Sequence, residues 1–198
     1  MKNYFVGLTL APNSTIESGI AVVDKNNEII YMDKLFTMND VRHFFENFSS
    51  LKDSSICVSL PQDNTMLNGK WRLMSKLYQP VNLNKRIVDK DHQMQRYSNR
   101  GCDFLSSFVE KGISVSRYEL FLTRQALGLT SNMKDRSPSD CKFLQSCLRL
   151  HYDFPTLPTN MMPMAQIEAL VGVILAKKLE KDSLRPVFKF NGIDVYRG

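Results

Sequence analysis

The chain has 198 residues, 43 % of them hydrophobic and 23 % charged, with a formal net charge of +6 and a pI near 9.1. A single domain of this size buries most of its apolar surface without disulfide or metal staples, so neither is demanded by length alone. No apolar run reaches the roughly 18–20 residues that a bilayer crossing needs, and the start, MKNYFVGLTLAPN, reads as a first strand rather than a signal peptide because it has no small-residue cleavage site.

In chain order, residues 4–10 (YFVGLTL), 19–24 (GIAVVD) and 28–35 (EIIYMDKL) predict three successive strands of an antiparallel meander, with the polar turn Asp24-Lys25-Asn26-Asn27 between the second and third. TMNDVRHFFENFSSL follows with helical spacing of Val41, Phe44, Phe45 and Phe48, capped by Asn39 or Asp40. Ser55 to Leu60 is a short apolar run ending at Pro61, the pattern of a buried central strand. Residues 62–100 are polar, basic and poorly periodic, and predict an excursion from the domain at about 62–102. A short helix over Asp103 to Lys111 closes at Gly112, and ISVSRYELF reads as a strand giving way to a helix that ends at Gly128. Pro138 starts a helix with Phe143, Leu144, Cys147 and Leu148 facing inward. Ala165 to Lys181 is the strongest helix, and residues 186–196 predict a last strand pair around Asn191-Gly192. The expectation is one domain over residues 1–198.

The basic charge is concentrated. Lys70, Arg72, Lys76, Lys85, Arg86, Lys90, Arg96 and Arg100 face only Asp89 and Asp91, an excess equal to that of the whole chain. Such a footprint suits an anionic partner, DNA or RNA first, and Trp71, Tyr78 and Tyr97 are interleaved where bases could stack. A solvated surface loop is the plainer alternative. The cysteines Cys57, Cys102, Cys141 and Cys147 form no C-x-x-C pair and read as free thiols of a reducing cytoplasm. No phosphate-cradling glycine loop, zinc-protease helix or nucleophile elbow occurs, and His43, His92 and His151 are scattered as surface or capping residues.

Six stretches in order resemble one family. GLTLAP (Gly7 to Pro12) resembles a Gly-Ile-Asp-x-Ala start, SGIAVVD a Gly-Trp-Ala-Val strand, and SLPQ (Ser59 to Gln62) an Asp-Ala-Pro-Leu element. NRGCD (Asn99 to Asp103), RYELFLTRQALGL (Arg117 to Leu129) and the run Ala165 to Ala176 resemble its later motifs. The family is domain-of-unknown-function 429, predicted nucleases of the ribonuclease H-like superfamily. The resemblance implies an α/β ribonuclease H-like fold: a mixed central sheet that starts with the three-strand antiparallel meander, and helices on both faces. It also implies a site where acids gather two divalent ions, Mg²⁺ or Mn²⁺, against a scissile phosphate.

Carried over residue by residue, that site is depleted of acid. Thr9, Ser59 and Ala165 stand where the family has aspartates, Glu168 keeps a carboxylate at the second helix position, and Glu119 matches the family's glutamate. Asp63, just past the Ser59 strand, and Asp103 are acids able to approach from the excursion, whereas Glu17 is assigned to a hairpin loop at the far end of the strands. The leading expectation is a catalytically degenerate scaffold that binds nucleic acid. The alternatives are an active metal-dependent nuclease using Glu168, Asp63 and Glu119 (with Glu168 and Asp63 as metal ligands), and a protein-interaction or structural module. The oligomeric state is not legible from the sequence.

Overall fold

The structure is a computed structural model that describes residues 2–11, 17–60, 104–181, 184–190 and 193–198. The basic excursion with its eight Lys and Arg residues, Asp63, Cys102, Asp103 and the Asn191-Gly192 turn lie outside the described residues. Strands β1 (Tyr4–Thr9), β2 (Ser18–Asp24) and β3 (Ile29–Leu35) form the antiparallel meander, followed by helix α1 (Met38–Asn47) and strand β4 (Ser54–Ser59). Helix α2 (104–110) leads into β5 (Ser114–Tyr118), α3 (Leu120–Ala126), α4 (Pro138–His151) and α5 (Met164–Glu180), and the chain finishes with β6 (Phe188–Phe190) and β7 (Ile193–Tyr196). These strands make one sheet in the order β3-β2-β1-β4-β5-β7-β6, with β4 parallel to β1, β5 parallel to β4, and β7 parallel to β5.

The central strands β1, β2 and β4 are buried on both faces because they alternate two apolar sets. Val6, Leu8, Ile20, Val22, Ile56 and Val58 pack with Val41 and Phe45 of α1 and with Leu105 and Phe108 of α2. Phe5, Ala21, Val23, Cys57 and Tyr118 turn to the opposite face, which α5 covers, with α3 and α4 packed against α5. By the same alternation Gly7, Thr9, Gly19 and Ser59 face α5.

Helix α5 sits on this face backbone to backbone. A Cβ built on Gly7 would lie 1.8 Å from the Ala169 carbonyl oxygen, and one on Gly19 would lie 1.8 Å from that of Ala165. Ala165, Ala169, Gly172 and Val173 recur at three- and four-residue steps, so one stripe of small or short residues meets two glycines of the sheet. The far end of α5 is also tied: Lys177 Nζ donates to the Asp24 carbonyl at 2.9 Å and lies 5.0 Å from the centre of the Phe5 ring.

Three local expectations change. Thr37, a few residues before the predicted cap, is the N-cap of α1 and forms a reciprocal capping box with Asp40. Phe143 points outward, 40 % exposed, because α4 is apolar on two stripes: Cys141, Leu144 and Leu148 are buried in the core, and of the other stripe Cys147 packs only partly against it. Glu17 is not at the far end. A loop joining the end of β1 to the start of β2 must lie at the end where Thr9 sits, and Thr9 pairs with Gly19, two residues after Glu17.

Gly7→Ala is expected to destabilise the protein by about 2 kcal/mol or more, since backbone, not a yielding side chain, occupies the space. Urea unfolding checks this; a loss below the roughly 0.5 kcal/mol typical of a surface change would disprove the close seat.

Candidate functional site

Parallel pairing puts Thr9 and Ser59 side by side, as register partners at the carboxyl ends of β1 and β4. Both are buried, Ser59 fully. Ala165 joins them across Gly19, the antiparallel partner of Thr9, because its backbone lies directly over that glycine. The three positions that lack the resembled family's acid are therefore brought together at one sheet edge, under the first turn of α5.

Glu168 follows one turn on, and α5 buries it: only 4 % of the residue is exposed. Its backbone carbonyl accepts a hydrogen bond from the Tyr118 hydroxyl at 3.0 Å, which locks this turn onto β5. A buried carboxylate without a partner is very unfavourable, and Glu168 has two cationic partners. Arg136 Nη1 donates to both of its carboxylate oxygens, at 3.0 and 3.2 Å, and Arg124 Nη1 stands 3.9 Å away. Burial pushes the Glu168 carboxyl above its ordinary value, and the two arginines pull it back. The charge of Glu168 in turn raises the Arg136 guanidinium, against the lowering by burial, with smaller contributions from Asp135 and Glu17.

The segment before α4 is built to deliver that guanidinium. Asp140, in the first turn of α4, is capped by Ser137 and accepts from the Arg136 backbone N–H at 2.8 Å and from the Ser131 hydroxyl. Arg136 itself has φ 57°, a left-handed conformation that costs an L-residue roughly 1–2 kcal/mol. Arg124 is steadied by donating Nε–H to the Leu129 carbonyl at 3.1 Å, and it also faces Asp135 at 3.9 Å.

Glu119 also lies at this edge, at the N-cap of α3 just beyond β5, and it is 3 % exposed. Its carboxylate accepts from Arg197 Nε, whereas Glu168 accepts from Arg136, so the two acids are held by different arginines. Glu17 pairs with Lys34 at 3.2 Å.

Among the described residues the donor set does not fit a two-metal centre. Such a centre needs several carboxylates to neutralise hard cations, and here the edge offers two hydroxyls, a methyl group and two glutamates, Glu119 and Glu168, each already paired with an arginine. Among the described residues no group of three or more His, Cys, Asp or Glu side chains is placed to hold a metal ion. Sequence reasoning missed Arg124 and Arg136. The available signal was the buried Glu168 itself, which required a cation from somewhere in the chain.

A double-mutant cycle of Glu168→Gln and Arg136→Gln is expected to give a coupling of about 1–3 kcal/mol. Glu168→Gln alone is expected to cost at least about 2 kcal/mol, because it removes the charge that balances two largely buried guanidinium groups. Additive losses in urea unfolding would show that the pair is incidental.

No family model matches the sequence, and no curated protein matches it. Among solved structures the chain is similar to T. thermophilus RuvC in complex with a Holliday junction substrate, with a TM-score of 0.50 at 11 % identity. The match covers 93 % of this chain and 99 % of that one. At that identity the likeness speaks for the fold alone. Meander, parallel extension and helical cover together give this chain a ribonuclease H-like fold.

Proposed function

We propose that this protein is a diverged relative of the domain-of-unknown-function 429 nucleases that binds nucleic acid and does not cleave it by two-metal chemistry. The observation that carries the reading is the convergence of Thr9, Ser59 and Ala165 at the carboxyl edge of β1 and β4, beside a Glu168 already neutralised by Arg136. A hydroxyl at Thr9 or Ser59 accepts hydrogen bonds but neutralises no cation charge, so these positions supply none of the ligand charge that hard divalent ions require, and the described glutamates of the edge are paired with arginines. Nucleic-acid binding is supported by the charge excess between Lys70 and Arg100. It is also in keeping with the likeness to RuvC, a protein whose structure was solved with a Holliday junction.

Two measurements test this. Binding to duplex and four-way-junction DNA and to RNA is expected to weaken steeply with salt. Replacing Lys70, Arg72, Lys85 and Arg86 by Gln is expected to reduce the slope by about 0.9 for each duplex phosphate no longer neutralised. Absence of binding at low salt would overturn the reading in favour of a protein-interaction module. The melting temperature is expected not to move with millimolar Mg²⁺ or Mn²⁺. A native-state site would raise it, by about 2.7 kcal/mol of stability at a hundredfold excess over Kd. A rise accompanied by cleavage would favour the nuclease with relocated carboxylates, Glu168, Asp63 and Glu119.

A further inference from the structure

We propose that the Arg136 guanidinium is the resident cation of this site, a side chain seated at Glu168 where the resembled family would gather divalent metal. The inference rests on the reading that metal chemistry has been lost. It adds what stands in the metal's place: a cation seat at Glu168 that remains when the Arg136 side chain is removed.

Geometry carries the inference. The Glu168 carboxylate is buried on α5, one turn from Ala165, and it engages Arg136 through both oxygens. One nitrogen, Nη1, sits between the two oxygens, so the seat combines charge neutralisation with charge-assisted hydrogen bonds to a single N–H-bearing cation. The cation is delivered from outside the helix. Arg136 precedes α4, 32 residues from Glu168, and it reaches the carboxylate from a left-handed backbone fixed by its N–H on Asp140. Its side chain is 25 % exposed against 5 % for that of Glu168, so the seat opens toward solvent on the arginine side and is closed on the helix side. A small planar cation can therefore enter once the side chain is cut back. Arg124, at 3.9 Å, borders the seat without filling it. Asp135 and Glu17 act on Arg136 in the same direction as Glu168, while Arg124 at 3.9 Å is the one like charge beside the seat among the described residues.

The test is chemical rescue, read as melting temperature on the full chain. Arg136→Ala is chosen over Arg136→Gly because alanine keeps the unfavourable positive φ, so the change reports the side chain alone. Arg136→Ala is expected to melt roughly 5 °C lower. Methylguanidinium at about 10–20 mM is expected to restore about half of that loss, with no gain in the wild type or in Arg136→Ala/Glu168→Gln, where the seat is filled or has lost its charge. Equal rescue by NaCl, no rescue, or rescue of the double variant would overturn the proposal. If Arg136→Ala does not fold, Arg136→Lys decides: it is expected to melt below the wild type and to gain nothing from methylguanidinium, since its own ammonium holds the seat, and a gain would overturn the proposal. These outcomes are independent of DNA binding, so the seat can fail while the nucleic-acid reading stands, and the reverse.

Discussion

The contact on which this structure depends is the one between the backbone of α5 and two glycines of the sheet. Gly7 and Gly19 admit the helix so closely that any side chain at either place would strike a carbonyl oxygen. That contact fixes the height of α5 above β1 and β2 and therefore the depth of everything α5 carries. Ala165 and Ala169 supply the matching small surface, and Gly172 lets the Tyr118 ring in beside Gly7. The hydrogen bond from Tyr118 to the Glu168 carbonyl then ties the helix to the next parallel strand. The depth of Glu168 is thus a consequence of glycine positions on strands far away in sequence.

Once Glu168 is that deep, electrostatics dictates the rest of the edge. A carboxylate inside the protein must be neutralised by a proton, a metal or a protein cation. In this chain Arg136 and Arg124 take that part, and the segment between α3 and α4 is shaped around them. The hydroxyls of Thr9 and Ser59 then sit at the same edge without imposing a charge of their own.

Much of this architecture was legible in the sequence, for identifiable reasons. Strands β1, β2 and β4 are short apolar runs bounded by Gly, Pro or polar turns, and α5 is long and apolar, so local pattern decides them. Thr9, Ser59 and Ala165 could be nominated by resemblance; strand pairing brings the first two together and the seat of α5 on Gly19 adds the third. Phe143 could not be placed, because α4 has apolar residues on two stripes and only the tertiary fold selects one. The arginines escaped for a different reason. Residues 124, 136 and 168 belong to three separate segments, and no periodicity links them. Glu17 was misplaced by a topological slip, since the loop after β1 necessarily lies at the Thr9 end.

The close seat of α5 also acts as a filter on the side chains that this edge can carry. Ala165 has no exposed surface and its backbone rests on Gly19. An aspartate there would have to find both volume and a countercharge in a space that offers neither. At Glu168 the carboxylate is present, but its arginine partner would have to be dismissed as well. An added acid at this edge therefore begins with a loss of stability, whatever chemistry it could offer. Packing between helix and sheet, more than chemistry, decides which side chains the edge admits.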